Sequence, residues 1–318
     1  MGVVAQHHAP VAFVSPSATC PRISTWAMLP SLGPRLLATR GLSGLRMGPR
    51  WSPVAQGLRR PSGTHGGTGR PQGEAAVRDF IEANTEASRE HLTPELTLRL
   101  LTPRCPLWTA RPETWPFPAD PYWAIYWPGG QVLARFLLDQ PDVVAGRAVL
   151  DLGSGCGAAA IAAVKAGASI VVANDIDPVA AVAISLNAEL NGMRADSLHI
   201  DVRDLLSPHR APSPPWDVLL LGDMFYDGTT VHSLLRWLET SLAQQRRRRG
   251  QETEPPAPTV LVGDPGRPVF LERYEAWLGA RAAATAPVLR ELARYELPES
   301  ARRDNSGLSD GAVWTLHL

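Results

Sequence analysis

The sequence predicts an α/β fold of the Rossmann-like type, in which helices cover both faces of a mostly parallel sheet. Short apolar runs alternate with amphipathic or alanine-rich segments over residues 131–318, a pattern typical of repeated β-α units. Residues 149–152 form an apolar run that leads directly into a glycine-rich turn. Residues 218–221 are apolar at every position, as expected for a strand that is buried on both faces.

Bulk composition excludes several classes of protein. The chain has 318 residues and a formal net charge of zero, which argues against a general nucleic-acid binder. No uninterrupted apolar run is long enough to cross a bilayer, so we predict no membrane segment. Cys20, Cys105 and Cys156 lack metal-ligand and disulfide-framework spacing. We therefore predict free thiols and no metal site.

Residues 1–73 differ in composition from the rest of the chain. They contain no Asp or Glu, while arginine, serine, glycine and proline are frequent. Arg-rich, Ser-rich and acid-free composition is typical of organelle transit peptides. The alternative is a disordered tail that carries no targeting signal. We predict a transit peptide that ends in a disordered, glycine-rich linker at 64–73.

Residues 74–130 are predicted to form a helical and tryptophan-rich cap. Val77, Phe80 and Ile81 have the spacing of one helix face. The segment Thr93-Pro94-Glu95-Leu96 looks like a helix cap with proline in the first turn, which predicts a second helix. Four aromatic residues then fall within residues 122–127. Such rings are either core or the wall of a ligand pocket, and Trp127 is our candidate for the wall.

The turn after the first predicted strand of the 131–318 domain is the main candidate for a ligand site. Its spacing is Asp-x-Gly-x-Gly-x-Gly, which differs from the Gly-x-Gly-x-x-Gly of dinucleotide binders. Glycines allow a tight bend and a close ligand approach, and the helix that follows presents unpaired N–H groups. The residues are Asp151, Gly153, Gly155 and Gly157.

A second acid follows the next predicted strand, at 170–173. Asp175 lies where a carboxylate can accept both hydroxyls of a ribose. Together, Asp151 and Asp175 suit a nucleoside with a positive centre and an amino group better than they suit a pyrophosphate. The alternative is a tight strand–helix turn with a solvated acid beyond it. Asp201, after the third strand at 198–200, either accepts from an adenine amino group or is solvated.

The fourth strand, at 216–222, ends in Asp223-Met224-Phe225-Tyr226. In open α/β sheets ligands meet at the carboxyl ends of the strands, so Asp223 and Tyr226 are expected at the reacting centre. A helix is predicted over 231–244 and a mobile surface insertion over 245–258. A fifth strand, a helix over 270–284 and two final strands at 290–297 and 312–318 complete the domain.

Five segments resemble a known family, the electron transfer flavoprotein beta subunit lysine methyltransferases. These are a mitochondrial branch of the seven-strand protein lysine methyltransferases and are similar to bacterial ribosomal protein L11 methyltransferases. The resemblance runs from about residue 75 to the C-terminus and departs at 207–215 and 245–258. The segments are Asp-Pro-Tyr-Trp-Ala-Ile-Tyr-Trp-Pro-Gly-Gly (120–130), Asp-Leu-Gly-Ser-Gly-Cys-Gly (151–157), Ala-Asn-Asp-Ile-Asp-Pro (173–178), Leu-Gly-Asp-Met-Phe-Tyr-Asp (221–227) and Gly-Asp-Pro-Gly-Arg-Pro (263–268).

The resemblance implies a seven-strand methyltransferase sheet with an antiparallel C-terminal edge. It implies S-adenosyl-L-methionine (S-adenosylmethionine) as cofactor and the electron transfer flavoprotein beta subunit as protein substrate. It also implies a location in the mitochondrial matrix. Methylation is expected to weaken electron transfer between the flavoprotein and its dehydrogenases. A mitochondrial chaperone is a further candidate partner.

The resemblance also assigns roles to residues. Asp223 and Tyr226 match the family's Asp-x-x-Tyr signature and are predicted to be catalytic, with Asp223 orienting the substrate ammonium. From the chemistry of methyl transfer, Tyr226, Phe225 and Trp127 are predicted to form a wall that excludes water, with Phe225 and Trp127 lining the substrate pocket. The cofactor-binding candidates are Trp127, Asp151, Gly153, Gly155, Gly157, Asp175 and Asp201.

Three other functions fit parts of the pattern. The same fold could methylate another acceptor, such as a ribosomal protein or a small molecule, because the cofactor motifs do not specify the acceptor. A non-catalytic binding protein could keep the fold, although the intact glycines, Asp175 and Asp223 speak against it. A nicotinamide oxidoreductase is disfavoured by the glycine spacing and by the lack of a nearby Tyr-x-x-x-Lys pair.

Overall fold

The structure is a computed structural model. It describes residues 73–109, 115–194, 196–207, 216–226, 228–249, 258–267, 270, 272, 288–304 and 308–317. The predictions for the transit peptide, for most of the helix at 270–284 and for 250–257 lie outside these residues. Among the described helices, none combines the length and the apolar composition that crossing a bilayer requires.

The N-terminal region contains one helix and one small antiparallel sheet. Helix α1 spans Glu74–Asn84, and strand β1 (Glu86–Ser88) pairs with strand β2 (Leu98–Leu100). The helix predicted after Thr93 is therefore wrong. Leu98 and Leu100 are both buried, because a period of two places them on one side of a strand. The backbone N–H of Arg99 is fixed by the Asn187 side chain at 2.7 Å.

The central sheet has seven strands in the order β5-β4-β3-β6-β7-β9-β8. Strands β3 to β7 run parallel, while β9 lies between β7 and β8 and pairs antiparallel with both. This confirms a mostly parallel sheet with an antiparallel pair at its C-terminal edge. The strands are β3 (Ala148–Leu152), β4 (Ile170–Asn174), β5 (His199–Asp201), β6 (Val218–Gly222), β7 (Thr259–Asp264), β8 (Val288–Glu296) and β9 (Asp310–His317).

Helices cover both faces of the sheet, as predicted. Alternate strand residues point to opposite faces: Val149 packs with helices α2 and α3, whereas Leu150 packs with helix α5. Helix α5 extends to Arg249, past the end predicted at 244 and into the segment predicted as a mobile insertion. The helices are α2 (Pro128–Asp139), α3 (Ala158–Lys165), α4 (Pro178–Leu190), α5 (Gly228–Arg249) and α6 (Glu299–Asp304).

The N-terminal region shares its core with the sheet domain. Ile81, Phe117 and Trp123 pack against α4, while Leu96 and Leu98 are part of the main core under α2 and α3. The predicted boundary between residues 130 and 131 falls inside the first turn of α2. These contacts place the aromatic segment beside the carboxyl ends of β3 and β6.

Candidate active site

The glycine turn between β3 and α3 adopts a left-handed backbone at Gly153, Gly155 and Gly157, with φ of 68°, 56° and 81°. Residues other than glycine adopt these angles only at a cost. A Cβ at Gly153 would overlap the Met224 side chain, whereas a Cβ at Gly155 would meet no atom within 4 Å. The turn is therefore packed on one side and open at Gly155, where a ligand can approach the backbone.

Asp151 lies at the carboxyl end of β3 and is only 2% exposed. Its carboxylate accepts a hydrogen bond from Ser154 Oγ at 2.5 Å and one from the Ala160 backbone N–H at 3.2 Å. Burial raises the pKa of Asp151 to about 6, although both hydrogen bonds oppose the increase. The side chain thus ties the end of the strand to the first turn of α3 without a cationic partner in these contacts.

Asp175 follows β4 and faces the glycine turn. The Gly155 N–H donates to Oδ2 at 2.9 Å, and the Asp177 N–H donates to Oδ1 at 3.0 Å. Each carboxylate oxygen can accept a further hydrogen bond, so two ribose hydroxyls can still be bound. Burial raises the pKa of Asp175. The structure therefore brings Asp175 and the open side of Gly155 together, as ribose binding requires.

Asp201, at the end of β5, has a partner that the sequence reasoning did not consider. The Arg203 guanidinium donates to both carboxylate oxygens, with Nε at 2.8 Å from Oδ1 and Nη2 at 2.6 Å from Oδ2. Asp201 therefore forms an ion pair with a largely exposed arginine, and its role toward an adenine amino group stays a prediction. The Asp-x-Arg spacing is visible in the sequence. Two side chains that lie two residues apart at the end of a strand are close enough for this contact.

Asp223, at the end of β6, has a φ of 56° and is the only non-glycine residue with a positive φ in the described part of the chain. Its backbone N–H donates to the Gly263 carbonyl at 3.0 Å. Its carboxylate accepts from the Gly130 N–H at 2.9 Å and from the Arg267 guanidinium. Burial raises the pKa of Asp223, and Arg267 opposes this increase.

Arg267 also binds Asp264, a fully buried acid at the end of β7. Asp264 accepts from the backbone N–H groups of Gly266 and Arg267 at 2.8 and 2.7 Å, and from Arg267 Nη1 at 3.1 Å. Burial raises the pKa of Asp264 to about 6. The sequence reasoning gave Arg267 no role, although the residue lies in the Gly-Asp-Pro-Gly-Arg-Pro segment that contributes to the family resemblance.

Three glycines allow the first turn of α2 to lie directly on the strand ends. A Cβ at Gly129 would lie 2.6 Å from Asp223 Oδ2 and would overlap the Gly263 carbonyl. A Cβ at Gly222 would come within 3.1 Å of the Gly130 backbone. We call Gly129, Gly222 and Gly263 the glycine seam. Because no side chain separates the backbones, the Gly130 N–H can reach the Asp223 carboxylate.

Three aromatic residues form a rim beside this centre. Trp127 lines a cavity of about 30 Å³ together with Asp151 and Asp223, which is room for a small group such as a methyl. The Trp127 indole N–H donates to the Tyr122 carbonyl at 3.0 Å, and the two ring centroids are 5.9 Å apart. Tyr122 and Tyr226 are 44% and 50% exposed. Burial, Asp120 and Tyr226 raise the pKa of Tyr122.

The structure separates Phe225 from this rim and corrects its predicted role. Phe225 is 2% exposed and packs edge-on against Phe270, with ring centroids 4.8 Å apart. It belongs to the core between β6, α5 and β9. Because Tyr226 points outward while Phe225 points inward, only Tyr226 of this pair reaches the surface near the pocket.

The arrangement suits a cationic nucleoside and an alkylamine. Carboxylates at the ends of β3 and β4 flank an open glycine turn, which fits the ribose and the polar groups of such a ligand. The aromatic rim can pack around an aliphatic amine and a cationic centre. In the part of the chain that the structure describes, no group of three or more His, Cys, Asp or Glu side chains is arranged to hold a metal ion.

Comparisons with known proteins match this chain to methyltransferases. The profile of the ribosomal protein L11 methyltransferase family (PrmA) matches residues 133–219. The chain is 48% identical to the electron transfer flavoprotein beta subunit lysine methyltransferase of Xenopus laevis, over 77% of this chain and 90% of that protein. It is also 48% identical to the Homo sapiens protein of that name, over 75% of this chain and 81% of that protein.

A solved structure was also matched. The ribosomal protein L11 methylase of Lactobacillus delbrueckii subsp. bulgaricus is 20% identical, with a TM-score of 0.37, over 58% of this chain and 77% of that chain.

Proposed function

Because this chain belongs to the family of electron transfer flavoprotein beta subunit lysine methyltransferases, we propose that it methylates lysine side chains of that flavoprotein subunit. It is an S-adenosylmethionine-dependent lysine methyltransferase. The observation that carries the proposed substrate is the 48% identity that extends over 90% of the Xenopus laevis relative. Identity over nearly the whole relative includes the N-terminal region and the rim, not only the cofactor motifs.

The residues of this chain fit the cofactor. When bound, S-adenosylmethionine supplies a methyl group attached to a positively charged sulfur. Asp175 can accept the ribose hydroxyls with its remaining lone pairs, and a Cβ at Gly155 would occupy open space beside it. Asp151, which is ionised above its pKa of about 6, gives the base of the site a negative charge. Trp127 lines the same cavity as Asp151 and Asp223.

The protein must also prepare the lysine amine. The attacking amine has to be neutral, and an aromatic wall that removes water lowers the pKa of an ammonium group. Trp127, Tyr122 and Tyr226 can supply this wall. Asp223 would orient the amine, with the charge of its carboxylate partly offset by Arg267. Alignment of the reacting groups can contribute about 7–11 kcal/mol to such a reaction.

We further propose that the enzyme acts in the mitochondrial matrix and that methylation weakens electron transfer between the flavoprotein and its dehydrogenases. The acid-free, arginine-containing composition of residues 1–73 supports import. The family membership supports the substrate. A mitochondrial chaperone remains a candidate second partner. A fusion of residues 1–73 to a fluorescent protein tests import, and cytosolic fluorescence would contradict it.

One incubation tests the substrate. The purified protein is mixed with methyl-labelled cofactor and a mitochondrial extract, and the labelled band is identified by mass spectrometry. We expect the flavoprotein beta subunit, and no label with the Asp175→Ala variant. A labelled ribosomal protein in its place would contradict the substrate and support the second acceptor class. Comparing methylated and unmethylated flavoprotein in reduction by a dehydrogenase then tests the effect on electron transfer.

A further inference from the structure

Arg267 is the only cation within hydrogen-bond reach of Asp223 among the contacts that the structure describes. Its guanidinium binds both Asp223 and Asp264. Only about a fifth of the Arg267 side chain is exposed, and Asp264 is fully buried. One guanidinium between two carboxylates leaves one net negative charge in a site that excludes most water.

A buried carboxylate that loses its cationic partner becomes harder to ionise. Removing a charge from water costs several kcal/mol unless a partner and hydrogen bonds compensate, and such groups usually become protonated instead. Asp223 has hydrogen bonds from the Gly130 N–H and from Arg267. Without Arg267, only the neutral backbone N–H groups of Gly130 and Gly129 would remain as donors to this carboxylate, and a protonated Asp223 could no longer attract an ammonium group.

We propose that Arg267 is a positioning residue for methyl transfer, whose guanidinium keeps the Asp223 carboxylate charged and fixed against the first turn of α2. This inference rests on the proposed function, because it assigns Asp223 to the substrate amine. Arg267 itself need not touch the substrate. It acts through Asp223, and Asp264 holds it in place through its side chain and through the backbone N–H at 2.7 Å.

The surroundings of Asp223 contain few other charges that could replace Arg267. Asp264 faces it from β7, and Asp151 lies across the same cavity on β3. The first turn of α2 consists of Pro128, Gly129 and Gly130 and brings no charged side chain. Repulsion from Asp223 raises the pKa of Asp264, whereas Arg267 lowers the pKa of Asp223, so loss of Arg267 raises the pKa of Asp223.

The test compares kcat/KM of the wild type with that of Arg267→Gln from about pH 6 to about pH 9. Deprotonation of the substrate lysine affects both enzymes equally and cancels in the ratio. We expect the ratio of wild type to variant to be about tenfold larger at the acidic end, the size of a one-unit pKa difference. Arg267→Lys should restore most of the activity at the acidic end, because it keeps the charge.

Two further variants distinguish an effect on the charge of Asp223 from an effect on folding. Arg78→Gln removes an exposed arginine–carboxylate pair with Glu189, remote from the site, and should leave the ratio constant. Asp264→Asn removes the negative charge that repels Asp223, while its amide oxygen can still accept from the Gly266 and Arg267 backbone N–H groups, and it should shift activity toward lower pH. Thermal unfolding and cofactor affinity by calorimetry are measured for every variant, so that a misfolded protein is recognised.

A second readout needs no substrate. Infrared difference spectroscopy should show a protonated carboxyl band in Arg267→Gln at neutral pH that is missing from Arg267→Gln/Asp223→Asn. A constant activity ratio across pH, or no such band in a folded variant, would overturn the role of Arg267. If the wild type does not label the flavoprotein subunit, the proposed substrate is wrong, whereas the infrared band still decides whether Arg267 keeps Asp223 charged.

Discussion

The turns that follow two adjacent parallel strands, β3 and β6, both contain left-handed backbone angles, but on different residue types. After β3 the left-handed angles fall on Gly153, Gly155 and Gly157, where no Cβ resists them. After β6 a left-handed angle falls on Asp223, where the cost is about 1–2 kcal/mol. The first turn is stable because of its residue types. The second needs contacts that hold it.

The sources of those contacts differ as well. In the glycine turn, Asp151 is bound by Ser154 and Ala160, three and nine positions away. In the second turn, the Asp223 carboxylate is bound by Gly130 and Arg267, 93 and 44 positions away. The Asp151 contacts lie within one strand–turn–helix unit. The Asp223 turn depends on the position of α2 and of the loop after β7, so its charge and orientation can be changed from a distance.

The largest effect is expected where the second turn loses its charge. Asn tolerates a left-handed backbone better than most residues, so Asp223→Asn removes the negative charge with little backbone strain. We expect methyl transfer to fall about 100- to 1,000-fold, while cofactor affinity changes little. Single-turnover rates and calorimetry measure the two quantities.

Asp223→Ala serves as the comparison for this change. Alanine leaves Arg267 and the Gly130 N–H without their acceptor, so this variant should also lose stability in thermal unfolding. Loss of cofactor binding in a folded Asp223→Asn protein would instead assign Asp223 to the cofactor.

A substitution in the glycine turn should weaken cofactor binding, whereas the substitution at Asp223 slows methyl transfer. Gly155→Val places a side chain in the open space beside Asp175, so we expect the cofactor dissociation constant to rise at least about tenfold, a cost of at least about 1.4 kcal/mol. Gly146→Val is the matched control. It has a φ of 71°, and its Cβ would also meet no atom within 4 Å, but it lies before β3. Equal losses of affinity in both variants would show that backbone strain, not the ligand space, is responsible.

A substitution in the aromatic rim beside the second turn should change KM for the protein substrate more than kcat. Tyr122 is half-exposed and packs on Trp127. We expect Tyr122→Ala to raise KM for the protein substrate about three- to tenfold, as loss of an aromatic contact of about 1 kcal/mol would do, with kcat nearly unchanged. Leu292→Ala, an exposed residue on β8, should change neither. A fall in kcat alone would place Tyr122 at the reacting atoms.

The last expectation concerns the pH dependence of stability and not the activity. The pKa of Asp151 is raised from 3.8 to about 6 by burial, so the folded protein binds a proton more tightly than the unfolded chain. This contribution to stability is full below about pH 4 and is lost as pH rises through about 6, amounting to about 3 kcal/mol at most. Asp264 acts in the same direction and the same range.

Denaturant unfolding at several pH values tests this expectation. Asp151→Asn should reduce the loss of unfolding free energy between about pH 4 and pH 7 by roughly half, with Asp264 supplying the remainder. A wild-type stability that increases with pH in this range would contradict the raised pKa values.

The difference between the two turns explains what the sequence could predict. Asp151, the three glycines and Asp175 lie close together in the sequence, so their spacing alone predicted that they form one site. Arg267 was missed because its partner Asp223 lies 44 positions earlier and no local pattern connects them. Phe225 was misplaced because the side-chain direction after a left-handed residue cannot be read from alternation. The strand β2 was misread because a proline and a threonine gave a helix-start signal that tertiary contact with Asn187 overrides.

The glycine seam has a consequence for how this enzyme can be inactivated. Replacing Gly129 or Gly263 with any larger residue would wedge the first turn of α2 away from the sheet, because each added carbon meets backbone atoms. The Gly130 N–H would then leave Asp223, and methyl transfer would stop although every residue at the cofactor and the lysine is intact. Inactivating substitutions can therefore be sought at Gly129 and Gly263, which do not line the cavity.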